Sequence, residues 1–288
     1  MAAGVMAMRN QASLDEIRGV YAQLMAAVSG STDPRLKRAF NLVPREAFVG
    51  PGPWRIGVYR KYTETPDADP AYLYQNVLVA LDADKGINNG EPFLHAIWLG
   101  AVLPQAGDTV CHIGAGTGYY TAILSVLALP GGFVHAFEIE QGLAEKARDN
   151  LRPFEGISVT TGDATKLRLP PSDLIYVNAG AVAPPLSWLQ ALRPQGRMIF
   201  SWRPSQEVGL ALVVTRGHNG FGVKPLMNSY FIPCVGASDA QACLKAPDEN
   251  KAWSVRSLWP SAEREPDETA VAVCEHLWFS SAEIPADE

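Results

Sequence analysis

The chain has 288 residues, 47% of them apolar, which is enough to bury a large core and points to one main domain with additions. Its net charge of −6 argues against a general nucleic-acid or membrane surface. No run nears the ~18 apolar residues of a membrane span, the N-terminus lacks a secretion-signal pattern, and the four cysteines make no C-x-x-C pair. The expectation is a cytoplasmic protein without a membrane anchor, structural disulfide or metal.

Leu14, Ile17, Tyr21, Leu24, Met25 and Val28 recur at helical spacing, and Gly30-Ser31 ends that segment. Asp33-Pro34 reads as a cap and first-turn proline for a second short helix, with Leu36, Phe40 and Val43 on its apolar side. Pro44-Arg45-Glu46 opens another turn. Residues 50–70, rich in Pro, Gly and aromatics, read as an irregular packed loop, and Tyr72 to Leu81 fits strand or helix. Residues 91–103 predict a helix with Pro92 in its first turn.

From Thr109 the pattern alternates. Strands are predicted at 109–113, 132–139, 157–160, 173–177 and 197–201, with helices at 119–129, 143–151 and 186–192. This predicts an α/β fold: a Rossmann-like, mostly parallel sheet with helices on both faces, a helical N-terminal lead-in and a β-rich C-terminal extension. The boundaries expected are 1–104, 105–236 and 237–288. Within and beyond the last parallel strand, residues 209–216 and 222–226 suggest a hairpin turning at His218-Asn219-Gly220. Residues 230–233 read as a short edge-like run, and 239–250 are polar. Residues 253–259 and 269–279 are strand-like and pair through a charged loop, as an accessory sheet or a wrap-around extension.

The segment V110-C-H-I-G-A-G-T-G-Y-Y120 reads as a buried strand, a glycine loop and a helix start. Gly114, Gly116 and Gly118 permit positive φ and close backbone approach to a ligand, with Ala115 between them. Thr117 offers a hydroxyl or caps the next helix. A phosphate-cradling P-loop needs lysine and Ser/Thr where Tyr119 and Tyr120 stand, and a dinucleotide fingerprint needs a glycine at Tyr119. The G-x-G-x-G spacing favours an adenosyl ligand without a pyrophosphate. Glu138 ends the second strand, where a carboxylate can accept both ribose hydroxyls; the alternative is a capping or surface acid. Ile139 adjoins it, and Glu140 faces another side. In Gly162-Asp163-Ala164, Asp163 either binds the adenine amino group or caps the next turn.

These pieces resemble the protein-L-isoaspartate (D-aspartate) O-methyltransferase family of S-adenosylmethionine-dependent methyltransferases. The likeness lies in A39-F-N-L-V-P-R-E-A-F-V49, H112-I-G-A-G-T-G-Y119, F137-E-I-E140, G162-D-A164, D173-L-I-Y-V-N-A179, L189-Q-A-L-R-P-Q-G-R-M-I199 and Y230-F-I-P-C-V-G236. It spans roughly residues 33–236. It implies S-adenosylmethionine as cofactor, S-adenosylhomocysteine as product, no metal, and a peptide, protein or small-molecule methyl acceptor, with a homodimer compatible.

Two positions depart from the family pattern. The family carries G-x-T-I-S-x-P before the helix that precedes the glycine loop, and its serine lies near cofactor and substrate. Here the run is G86-I-N-N-G-E-P92, with Gly90 at the serine and Asn88 at the threonine. Glycine offers no hydroxyl to orient a carboxylate. His112 stands where many relatives hold an acid near the methionine part of the cofactor; it is a candidate ligand, or it packs.

Asn88, Asn89 and Glu91 form a polar cluster that either lines the pocket mouth or makes an Asx turn before the helix. Asn178, ending a strand on the ligand side, is a candidate for cofactor and substrate contact, or a turn residue beside Gly180. Trp54, Arg55 and Tyr59 lie in a region that could cover the site, with Arg55 able to read a carboxylate. His95 and Trp98 read as core residues, and Trp202 and Arg203 as packing. Methyl transfer to an ionised carboxylate needs alignment and no base. The leading expectation is therefore an S-adenosylmethionine-dependent O-methyltransferase whose acceptor differs from isoaspartate. The alternatives are true isoaspartyl repair and a non-catalytic S-adenosyl-ligand-binding or assembly module. Loop spacing disfavours a nicotinamide oxidoreductase.

Overall fold

A computed structural model describes residues 12–58 and 61–284. Helix α1 (Leu14–Val28) starts from a capping box in which Ser13 and Glu16 satisfy each other's backbone N–H. Helix α2 (Pro34–Leu42) starts at Asp33, whose Oδ1 accepts from the Arg35 N–H at 2.8 Å, with Pro34 in the first turn as expected. A 3-10 turn, Arg45–Phe48, follows.

The region expected to be irregular contains strands β1 (Arg55–Val58) and β2 (Lys61–Glu64). With β3 (Leu78–Asp82) and β4 (Ile87–Asn88) they form a four-stranded sheet in the order β2-β1-β3-β4. Trp54, Leu73 and Val79 give this sheet its own apolar nucleus. Strands of two to five residues among prolines and glycines leave too little periodicity to read. Helix α3 (Pro92–Val102) leads to the main sheet.

There β5 (Thr109–Ile113), α4 (Tyr119–Ala128), β6 (Phe133–Glu138), α5 (Gln141–Leu151) and β7 (Ile157–Thr161) build outward in one direction. The chain then returns through β8 (Ser172–Ala181), α6 (Leu186–Ala191) and β9 (Leu192–Trp202) to the other side of β5. The five strands run parallel in the order β9-β8-β5-β6-β7. The order reverses between β5 and β8, and in open α/β sheets the ligand crevice lies at such a reversal, outside the C-terminal ends of the strands. Both faces are covered. Val110 and Tyr176 pack with Tyr21, Phe40 and Trp98 on one side. Cys111 and Ile175 pack with Trp188 and Leu189 on the other.

Strands β10 (Leu210–Arg216) and β11 (Phe221–Asn228) form the expected hairpin, antiparallel to β9. Residues after 236 continue the same sheet. Strand β12 (Cys243–Lys245), helix α7 (Glu249–Ala252), and strands β13 (Ser257–Pro260), β14 (Ala270–Cys274) and β15 (Leu277–Ser280) bring it to eleven strands. Residues 269–279, expected as one strand, divide into the β14–β15 hairpin. Residues 230–233 make a single bridge, Gly180 to Pro233, instead of a strand. Cys243 and Cys274 lie opposite each other on β12 and β14, and all four thiols are free. No helix among the described residues is long and apolar enough to cross a membrane.

Candidate active site

The glycine loop joins β5 to α4 at the mouth of the crevice. Gly114, Gly116 and Gly118 all have left-handed φ, at 75°, 57° and 98°, so the turn needs residues without a Cβ. Gly114 and Ala115 donate their N–H groups to the Phe137 carbonyl, which ties the loop to the end of β6. Glu138 completes that tie. Its Oε2 accepts from the Gly116 N–H at 2.6 Å and its Oε1 from the Glu140 N–H at 2.9 Å. The side chain is 6% exposed. Burial raises its pKa, and the N–H groups of Glu140, Gly116 and Ile139 oppose that rise. Each carboxylate oxygen keeps a further acceptor site. Ile139, beside it, is 42% exposed and presents an apolar surface.

Asp163 follows β7. Its Oδ1 accepts from the Thr165 N–H and hydroxyl, capping the turn. Its Oδ2 is buried 3.2 Å from Lys166 Nζ without hydrogen-bond geometry. The Gly162 N–H donates to the Glu138 carbonyl, and the Ala164 carbonyl accepts from the Trp188 indole, so this turn is fixed to β6 and α6. Thr117 does not cap α4: Gly118 holds that position, and the buried Thr117 Oγ1 has no hydrogen-bond partner among the described residues.

His112 is fully buried on β5 between Thr121 Oγ1, 2.8 Å from Nδ1, and Asn178 Nδ2, 2.9 Å from Nε2. With Asn178 donating, the ring proton sits on Nδ1 and is shared with Thr121. Burial pushes the imidazole pKa down to about 3, so it is neutral. Asn178 Oδ1 is also buried without a partner among the described residues.

Asn88 and Asn89 have local partners. Asn88 Oδ1 accepts from the Gly90 N–H at 2.9 Å, which is the Asx turn, and Asn89 Oδ1 accepts from Arg45 Nε at 3.4 Å. Glu91 accepts from Asn76, whose own carbonyl accepts from the Phe93 N–H and so caps α3. Arg45, read from sequence only as part of a turn, organises this whole segment. It is completely buried and donates to the carbonyls of Leu73, Gln75, Val77 and Gly90. The β3–β4 hairpin lies over the glycine loop. Leu81 Cδ1 is 3.6 Å from where a Gly116 Cβ would be, and Lys85 pairs with Glu140.

Of the residues proposed to cover the site, Trp54 packs in its own nucleus with its indole on the Gly50 carbonyl. Arg55 lies exposed over the Tyr62 ring, and Tyr59 is outside the described residues. Trp202 and Arg203 pack as expected, bonded to the carbonyls of Val182 and Phe231. Two surface depressions, one over β10–β11 and one between α1 and α2, lie away from the crevice.

Residues 28–239 match the protein-L-isoaspartate(D-aspartate) O-methyltransferase family. The chain belongs to this family. It is 32% identical over 223 residues to a protein-L-isoaspartate O-methyltransferase of Pelotomaculum thermopropionicum, covering 76% of this chain and 87% of that one. It is 31% identical over 236 residues to protein-L-isoaspartate O-methyltransferase 2 of Pelobacter propionicus, covering 80% and 94%. A solved protein-L-isoaspartate O-methyltransferase superposes with a TM-score of 0.66 at 18% identity, over 91% of this chain and 86% of that one. A Plasmodium falciparum structure, described as a complex of such an enzyme with S-adenosyl-L-homocysteine, gives 0.59 at 16%, over 75% and 97%. As a family member the chain is an S-adenosylmethionine-dependent methyltransferase.

The crevice fits that cofactor. A buried carboxylate with spare acceptor sites, an exposed apolar side chain beside it, and orphaned polar atoms on Thr117 and Asn178 converge at the ends of β5, β6 and β8. Among the described residues, no three His, Cys, Asp or Glu side chains gather into a metal-binding group.

Proposed function

We propose that this chain methylates the side-chain carboxylate of L-isoaspartyl residues in peptides or proteins. The observation that carries this reading is that the family match, residues 28–239, spans every element of the crevice. The relatives named above carry that activity in their names. Gly90 alone favours a different acceptor, and one missing hydroxyl weighs less than the family match.

In this reading Glu138 holds the ribose hydroxyls and Asp163 the adenine amino group. Ile139, Gly162 and Ala164 flank the base. Gly114, Ala115, Gly116, Thr117 and Gly118 let the nucleoside lie against backbone. His112 and Asn178 face the amino-acid part. Asn88 and Asn89 shape the acceptor side through the Asx turn and Arg45. When bound, S-adenosylmethionine supplies a methyl group already activated on a sulfonium. The protein's task is to align the acceptor carboxylate and exclude water. The carboxylate is ionised at neutral pH, so no side chain has to remove a proton.

Radiolabelled methyl transfer to an isoaspartyl peptide, against the same peptide with normal aspartate, tests the reading. Base-labile methyl ester on the isoaspartyl peptide alone is expected. Turnover only on the normal aspartyl peptide, or on neither, contradicts it.

A further inference from the structure

Strand β12 forms one edge of the eleven-stranded sheet, with β14 as its neighbour. Its attachment is slight. Two register pairs hold it, Cys243 opposite Cys274 and Lys245 opposite Val273, with Leu244 bulged between them and 71% exposed. The Glu275 N–H donates to the Ala242 carbonyl at 3.0 Å, one residue outside the Cys243–Cys274 pair on each strand. That bond makes the two cysteines a non-hydrogen-bonded antiparallel pair, the kind whose Cα atoms lie closest, at about 4.5 Å. A disulfide spans Cα atoms about 4.4–6.8 Å apart, so this pair is within its reach. Residues directly opposite share one face of the sheet, and the Cys274 thiol donates a hydrogen bond to Cys243 Sγ.

The two thiols differ in access and acidity. Cys274 is 3% exposed, in an apolar cluster with Val271, Leu277 and Phe279. Cys243 is half-buried at the sheet edge, where a small solute can meet it. The hydrogen bond from Cys274 lowers the Cys243 pKa, and the same bond, with burial, raises that of Cys274. The thiolate is the reacting form, so Cys243 reacts first and Cys274 resolves. Cys111 and Cys234 are placed differently. Both are buried, and burial pushes their thiols up to about 11 and about 12. Cys243 and Cys274 both lie beyond the family match, which ends at residue 239.

We propose that Cys243 and Cys274 close reversibly into a disulfide that clasps β12 to β14, with a small-molecule disulfide such as oxidised glutathione as the oxidant. The proposal is independent of the methyl acceptor. Cys243 gives up its proton, and its Sγ attacks one sulfur of the glutathione disulfide. That S–S bond breaks, and its electron pair leaves on the other sulfur, which takes the proton. Cys274 then gives up its proton and attacks Cys243 Sγ in the mixed disulfide. The second glutathione leaves with the electron pair of the broken bond and takes that proton. Two cysteine thiols are thereby oxidised to one disulfide, and one glutathione disulfide is reduced to two thiols. Closure ties a loop of about 30 residues that contains α7 and β13. Strand β13 pairs with both β11 and β15, so the clasp limits how far the extension can open from the sheet.

The test equilibrates the reduced, folded full chain with oxidised glutathione. Remaining thiols are alkylated in denaturant, and intact mass and peptide mapping locate the change. Loss of two hydrogens per chain is expected, with Cys243 linked to Cys274 and with Cys111 and Cys234 alkylated. Dithiothreitol should restore all four thiols. In Cys274→Ser the reaction should halt at a glutathione adduct on Cys243, and in Cys243→Ser the buried Cys274 should stay reduced. The unfolding constant in urea should be at least about 10-fold lower for the oxidised wild type than for the reduced one. A native chain that keeps four thiols overturns the proposal, and so does a lasting glutathione adduct on Cys243 of the wild type. A disulfide between two chains, or one that forms only in urea, overturns it as well. Equal unfolding constants for the two forms overturn the clasp. The wild-type measurements decide even where a serine variant fails to fold.

Discussion

His112 shows how burial fixes the chemistry of a single side chain. Its pKa falls to about 3 when folded, against about 6.5 unfolded. Between those values the unfolded chain holds a proton that the folded chain does not. Stability therefore rises with pH across that window and is lost as pH falls from 6.5 toward 3. His95 is shifted the same way. At pH 5 the His112 contribution is a loss of about 2 kcal/mol. Urea unfolding between pH 7 and pH 5 should show this loss, and His112→Gln should reduce the slope. An unaltered slope in that variant would contradict a neutral, buried imidazole. The core thiol Cys111 carries no comparable pH signal, because burial pushes it away from neutrality, up to about 11.

At the scale of elements, the turn Arg45–Phe48 matters because of what Arg45 grips. Its guanidinium bonds four backbone carbonyls between Leu73 and Gly90, and so sets the hairpin that carries Asn88 and Gly90. Arg45→Met leaves those carbonyls without this donor and should cost about 3 kcal/mol. The urea midpoint should drop, with a larger S-adenosylhomocysteine Kd as the hairpin loosens; an unchanged midpoint would show that water replaces the clamp freely. The V-P-R-E segment was legible as a family mark but its task was not, since the partners lie 28 to 45 residues further along and are backbone atoms. The β5–loop–α4 unit was legible because its glycines have to stand where φ is positive. The Asx turn at Asn88 was one of two readings, and the hydrogen bond to Gly90 N–H is present. Strands β1, β2 and β4 are hidden by their shortness, β3 falls at the end of the stretch Tyr72 to Leu81 that fits strand or helix, and the β14–β15 turn at Glu275-His276 carries no glycine or proline to announce it.

For the whole molecule, the segment after Gly236 is part of the sheet. Strand β13 pairs with β11 through Phe221–Leu258 and Gly222–Ser257, and Phe279 packs on Trp202 at 4.6 Å. Both rings are fully buried. Removing residues 237–288 bares the β11 edge and the Trp202 face, and the product should aggregate and bind a hydrophobic dye. A soluble truncation that unfolds cooperatively and keeps its S-adenosylhomocysteine affinity would make the extension dispensable. In the proposed function, Glu138 holds the ribose of the nucleoside at the ends of β5 and β6. Isothermal titration of S-adenosylhomocysteine into the wild type and Glu138→Gln measures this. We expect wild-type binding to be weakened by at least about 30-fold in the variant, with the fold intact by circular dichroism. Equal affinity in the two proteins, or no binding to the wild type, would contradict the account.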